Sequence, residues 1–183
     1  MPSYIALLRA VNVGGRWYKM AALREHLLES GLADVETHIQ SGNVRFRSPM
    51  RSPARVEQHC ERVLAAGAGF DVPVVVLTPP RLRAVHDDAL ALTPELPSTE
   101  GARRYVAFFK DGGAPTGDTA QRIDAWAEPG ERARVVDGAV HVWLDHGMHD
   151  APFFRTFKKQ LAPGTVRDLK VVAAMVERWV PAG

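Results

Sequence analysis

The 183-residue sequence contains a single cysteine, Cys60. One thiol cannot close an internal disulfide, which excludes a disulfide-stapled secreted scaffold and fits a reducing, cytoplasmic setting. No apolar run approaches the roughly 18–20 residues that span a bilayer, so no membrane partner is expected. The opening MPSYIALLRAV lacks the basic segment and long apolar stretch of a secretion signal. Charge of either sign is scarce in the balance: 23 Lys and Arg face 21 Asp and Glu, a formal net charge of +2. So small an excess favours no partner class, while an apolar content of 46% excludes disorder. Arginine outnumbers lysine, and beside the Ala, Val, Gly and Pro usage this reads as coding background.

The pattern of elements is more informative. Residues 3–11 (SYIALLRAV) read as a buried strand that stops at Asn12 and Gly14-Gly15. Met20, Leu23, Leu27 and Leu28 form one apolar stripe of a helix that Gly31 ends. Residues 34–39 and 44–47 alternate about Ser41-Gly42-Asn43, a hairpin signal, because Gly and Asn tolerate positive φ. Ser52-Pro53 opens a second helix with Val56, Cys60, Val63 and Leu64 inward, ending near Gly67 and Gly69. Cys60 on that stripe is expected to be core. The β-branched run 72–77 closes the first half as β-α-β-β-α-β, the ferredoxin-like order.

The second half repeats that order. A helix over 82–90 and a proline-containing loop over 93–101 lead to a strand over 104–110, RYVAFFK, similar to YIALLR near the start. A helix over 119–126, strands 134–136 and 140–144 about Asp137-Gly138, a helix over 151–161, a short strand at 164–166 and a terminal helix capped by Asp168 follow. The expected fold class is α+β. Two ferredoxin-like units, residues 1–80 and 81–183, arise by internal duplication, with a C-terminal helix, in one compact body.

Chemistry concentrates in two turns. The loop Asn12-Val13-Gly14-Gly15-Arg16, followed by Lys19, combines glycine backbone, a helix start and two cations, the ingredients of a small anion site. It has neither the Walker spacing nor the third glycine of the dinucleotide fingerprint, so no cofactor is expected. In the ferredoxin-like order the first and third strands are central and antiparallel. The end of the first then lies beside the start of the third, bringing Asn12, Gly14, Gly15, Arg16 and Lys19 next to Gln40, Ser41, Gly42 and Asn43. The competing reading is that Asn12 and Asn43 only pin the two loops through hydrogen bonds. Ser41 sits between strands rather than on a strand-to-helix elbow, so it is not read as a nucleophile.

Other groups carry less. His141, Asp145, His146, His149 and Asp150 match no metal-ligand spacing and read as a solvated loop, so no metal is expected. Arg45 and Arg47, with Arg155, Lys158, Lys159, Arg167 and Lys170, raise the alternative of nucleic-acid binding through a basic C-terminal region and a sheet face. Such a face would need exposed strand aromatics, and no RNP pattern is present. No nucleophile or acid–base arrangement is recognisable, so the residues assign no reaction. The leading expectation is a protein binding a small anionic or nucleotide-like ligand between the two turns.

The segments YIALLRAVNVGG, MAALR from Met20, HIQSGNVRF and FDVPVVV, in this order, resemble a bacterial family catalogued as domain of unknown function 1697. The resemblance covers roughly the first 80 residues in motif and the remainder in element order. It implies a duplicated ferredoxin-like α+β fold and no particular reaction. Two departures stand out. Ala10 occupies a position that is typically glycine in the family. The stretch Thr165-Val166-Arg167-Asp168-Leu169-Lys170 retains only the arginine of a Thr-Arg-Asn-Trp-Asn-like motif.

Overall fold

A computed structural model of the protein describes residues 1–40, 42–92 and 102–181. The loop expected over 93–101 lies outside the described residues. The chain resolves into two compact units, one built on Met1–Arg81 and the other on Leu82–Val180. The first contains β1 (Ser3–Leu8), α1 (Met20–Glu29), β2 (Ala33–His38), β3 (Asn43–Arg47), α2 (Pro53–Ala68) and β4 (Val74–Leu77). Helix α3 (Pro79–Ala91) follows β4. The second unit continues with β5 (Arg103–Phe108), α4 (Gly117–Asp124), β6 (Glu131–Val136) and β7 (Ala139–Leu144). After a 3-10 turn (Met148–Asp150) come α5 (Pro152–Thr156), α6 (Lys158–Leu161), β8 (Thr165–Asp168) and α7 (Leu169–Trp179).

Each unit holds a four-stranded antiparallel sheet, in the orders β2-β3-β1-β4 and β6-β7-β5-β8. These are the same ferredoxin-like order with the first and third strands of each unit at the centre. In the first sheet Tyr4, Ala6 and Leu8 of β1 share a core with Val44 and Phe46 of β3. Leu23 and Leu27 of α1 and Val56, Cys60 and Leu64 of α2 close over them. Ile5 and Leu7, on the other face of β1, are also fully buried. That explains why β1 reads as a continuous apolar run rather than an alternating one. Cys60 is buried as expected, and burial, with Glu61 and Glu57 nearby, pushes its thiol up to about 12.

The helix caps follow the sequence. The Ser52 hydroxyl accepts from the Arg55 N–H, and Pro53 takes the first turn of α2. Gly69 ends that helix at φ 76, in the left-handed region. Asp168 caps α7 by accepting from the Lys170 N–H. Three expectations need correction. Leu28 is half exposed, because it lies one residue round from the Leu23–Leu27 stripe and faces solvent. The helix expected over 151–161 is broken at Phe157, whose φ of −99° and ψ of 19° separate α5 from α6. The strand expected from 134 starts at Glu131.

Candidate functional site

The antiparallel pairing of β1 with β3 sets Leu7 opposite Asn43. The Leu8 N–H donates to the Gly42 carbonyl at 2.7 Å, so the end of β1 does lie beside the start of β3. Beyond it Asn12 makes a knot of three bonds. Its N–H donates to the Arg16 carbonyl at 2.7 Å, and its side-chain Nδ2 donates to the Gln40 carbonyl at 2.9 Å. Its Oδ1 accepts from the Tyr18 N–H at 2.8 Å. One asparagine thus ties the loop after β1 to the loop before β3 and to the lead-in of α1.

The backbone around this knot is unusual. Ala10, Asn12 and Ile39 all have positive φ, at 56°, 59° and 52°. Asn tolerates that region, whereas a β-branched residue there is an outlier, and such strain gathers where surrounding structure over-determines the chain. Gly14 and Gly15, at φ 58° and 82°, form the tip of a miniature hairpin closed by the Arg16 N–H to the Val13 carbonyl at 3.1 Å. Ala10→Gly is expected to raise stability by about 0.5–1 kcal/mol. It removes a left-handed penalty of roughly 1–2 kcal/mol and adds some unfolded-state entropy. Chemical denaturation measures this, and a loss of stability would show that the Ala10 methyl is worth more than its strain.

A pocket of about 480 Å³ opens beside the knot, lined by Asn12, Trp17, Tyr18, Lys19, Met20 and Gln40. None of the six is acidic. Trp17 is 72% exposed, an unusual position for the largest apolar side chain. Lys19 is the N-cap residue of α1 and makes no side-chain cap bond, and the first turn of that helix contains no acid. Lys19 and Met20, at the start of that helix, both line the pocket. Tyr18 forms the inner wall. It is buried, its hydroxyl sits 2.5 Å from His26 Nδ1, and desolvation raises its pKa.

The residues expected to bind a ligand fall into three groups. Asn12, Lys19 and Gln40 line the pocket. Gly14, Gly15 and Arg16 stand on the exposed hairpin, with the Arg16 guanidinium 5.6 Å over the ring of Phe70. Gly42 and Asn43 are buried in the sheet, and Asn43 Nδ2 donates to the His38 carbonyl at 3.1 Å, pinning the hairpin. Ser41 lies outside the described residues. Sequence reasoning passed over Trp17; a tryptophan between a glycine pair and an amphipathic helix start was the available signal.

In the second unit, Asp145 and His146 are engaged in a network that spacing alone did not disclose. Glu131 is fully buried and accepts from Trp126 Nε1 at 2.8 Å and from the Phe153 N–H at 3.0 Å. His146 lies between its carboxylate, 3.0 Å from Nε2, and that of Asp145, 2.8 Å from Nδ1. A carboxylate at each ring nitrogen favours the protonated ring, which can donate from both nitrogens. The bond to Asp145, with Glu131 adding, raises its pKa against partial burial. His141 is buried on β7, apart from these groups in the chain. Among the described residues, no set of three or more His, Cys, Asp or Glu side chains is arranged to hold a metal ion.

Residues 1–141 match the family described as "Protein of unknown function (DUF1697)". The chain belongs to the DUF1697 family. The match runs past the first unit and takes in β5 and β6 of the second. No curated protein matches the chain. Among solved structures, the conserved bacterial protein SP0830 from Streptococcus pneumoniae superposes with a TM-score of 0.73 at 22% identity. The alignment covers 97% of this chain and 98% of that one. At that identity the likeness shows the fold, and this member of DUF1697 shares it over nearly its whole length. No helix among the described residues is long and apolar enough to cross a membrane.

Proposed function

We propose that this DUF1697 protein is a cytoplasmic binder of a small nucleotide-like anion, held in the pocket between the Asn12 loop and the Gln40 turn. The observation that carries the reading is one juxtaposition. An exposed indole, a lysine and an uncapped helix start line a single acid-free pocket whose two loops are tied by Asn12. Trp17 supplies a face on which a planar base stacks, a contact worth roughly 1–3 kcal/mol in single-strand binders. Lys19 and the first-turn N–H groups of α1 suit a phosphate or carboxylate. Asn12 and Gln40 bring amide groups to the rim. We also read the recurrence of one strand order in both units as an internal duplication. In that reading only the first copy kept the asparagine–glycine loop that builds the pocket.

The strand aromatics bear on the nucleic-acid alternative. Tyr4, Tyr105, Phe108 and Phe109 are all buried, as is Arg167, so none offers a base a stacking surface.

The test is tryptophan fluorescence titration with AMP, GMP and inorganic phosphate. Trp17 is the solvent-exposed indole; Trp143 and Trp179 are buried and Trp126 is partly so. A saturable change with the monophosphates is expected. Lys19→Ala should weaken it about tenfold, the loss of one charge-assisted contact. Trp17→Ala, followed by calorimetry, should weaken it by about one to two orders of magnitude. Absence of saturable binding to all three probes would remove the reading.

A further inference from the structure

We infer that Gly67 of α2 and His26 of α1 are positioning residues for the pocket beside Asn12, although neither lines it. They act through Tyr18, and the inference rests on the proposed reading of that pocket. Tyr18 is attached at both ends. Its N–H donates to Asn12 Oδ1 at 2.8 Å, the side chain whose Nδ2 donates to the Gln40 carbonyl. Its hydroxyl sits 2.5 Å from His26 Nδ1, with the two rings 5.8 Å apart and inclined at 43°. One path of polar contacts therefore runs from His26 through Tyr18 and Asn12 to the Gln40 turn.

Gly67 makes room for the outer end of that path. It is not the residue that stops the helix: α2 runs on to Ala68 and ends at Gly69. Gly67 is thus a helical residue, where alanine is ordinarily the more stable choice. A Cβ built on it would fall inside contact distance of the Tyr18 hydroxyl and of His26 Nδ1 and Cε1. A glycine here leaves a notch that the tyrosine–histidine pair fills.

The helix has little freedom to retreat from a side chain added in the notch. Glu57 and Glu61 accept from the Val76 and Val74 N–H groups, at 3.0 Å each, and hold α2 to β4. His59 Nε2 lies 3.0 Å from the Ser30 hydroxyl and holds α2 to the end of α1. A methyl at position 67 must therefore be accommodated by the pair. His26 is only half-buried and can turn outward, which costs the Tyr18 hydroxyl this partner. Tyr18 is 4% exposed and belongs to the core of the first unit. A shift of its ring is passed to the backbone that Asn12 holds, and so to the turn that presents Gln40.

The experiment compares the full chain with Gly67→Ala, His26→Ala and the double variant. Each is titrated with AMP and GMP by tryptophan fluorescence, and proton–nitrogen NMR spectra are recorded without ligand. Gly67→Ala should keep the unfolding midpoint within about 4 °C, because the helix preference gained offsets the crowding. It should nevertheless weaken both monophosphates about three- to tenfold, the size of coupling found between contacting residues. His26→Ala should weaken them by a similar factor. Adding Gly67→Ala to it should cost no more, since the pair that the methyl displaces is already broken. Tyr18→Phe, which removes only the hydroxyl, should match the His26→Ala loss. In the spectra, Gly67→Ala and His26→Ala should both move the Tyr18 amide and the Asn12 side-chain amide resonances. Failure of the wild type to bind either monophosphate would remove the pocket reading alone; moved resonances would then still support the coupling. Unmoved resonances in Gly67→Ala, wild-type affinity in every variant, or losses that add in the double variant would each overturn the inference.

Discussion

Glu131→Ala is expected to lower the unfolding free energy by about 3–5 kcal/mol, because the change strands the partners of a buried charge. Glu131 is fully buried where β6 begins. Its Oε2 accepts from the indole of Trp126 and from the N–H of Phe153, and its Oε1 faces His146. One carboxylate thus joins the segment after α4, the start of α5 and the loop after β7. Removing it orphans two N–H donors beside the aromatic packing of Trp126, Phe153 and Phe157, each costing about 1–3 kcal/mol. Urea denaturation with an unchanged m-value is the measurement. Glu131→Gln keeps one oxygen acceptor and should cost distinctly less. A loss below about 1 kcal/mol for the alanine variant would mean that water replaces the carboxylate, and the network would then be incidental.

The same network sets a pH dependence whose sign is fixed. His146 is more easily protonated in the folded chain than in the unfolded one, through Asp145 first and Glu131 second. A group with a raised native pKa stabilises most when it is charged in both states. That contribution is fully present below the ordinary histidine value and is lost as pH climbs through the higher native value. His146→Gln should therefore flatten stability against pH across the neutral range. The side chain is one-third exposed, so the slope should also shrink as salt is added. A variant that keeps the wild-type slope would assign the dependence to another residue.

How much of this was legible depends on whether a residue's role is set by the local period or by contacts from afar. The first half announced itself because β1 is a continuous apolar run, Val44 and Phe46 alternate with Arg45 and Arg47, and two glycine-bounded helices intervene. The meeting of Asn12 with the Gln40 turn followed from strand order alone, since adjacent antiparallel strands must bring one end to the other's start. Asn43 was harder. Its amide was read with Asn12 as converging on a site, yet it is fully buried and bonds to His38, at the base of its own hairpin. Glu131 escaped for the opposite reason. It shares the inward set with Ala133 and Val135, two and four residues on, and that period places a carboxylate in the core. The strand was expected only from 134, so Glu131 was assigned no face before the structure placed it at the start of β6. The break at Phe157 has no glycine or proline to mark it. It coincides with the packing of Phe157 on Phe153 and Trp126, a cause that lies in another segment.

The glycines of the two site turns should behave very differently when given a side chain. Gly42 has φ 76°, and a Cβ there would lie 2.7 Å from the Cβ of the buried Leu8. Gly42→Ala thus meets two costs, roughly 1–2 kcal/mol for a left-handed alanine and about 1–3 kcal/mol for overpacking against β1. The Gly42 carbonyl also accepts the Leu8 N–H, so any shift that relieves the clash strains the bond joining the two loops. A total of about 2–5 kcal/mol is expected. Gly14 and Gly15 have positive φ as well, but nothing lies within 4 Å of an added Cβ. Gly14→Ala and Gly15→Ala should each cost only the conformational part, about 1–2 kcal/mol. Denaturation curves of the three variants separate crowding from backbone preference. Binding separates them further. At a temperature where all remain folded, Gly42→Ala should weaken AMP or GMP because it displaces the turn that presents Gln40. The hairpin-tip variants should bind as the parent does. Equal losses of stability at positions 14, 15 and 42 would mean that Leu8 gives way freely, and the close approach of β1 to this turn would then not be what holds the pocket in register.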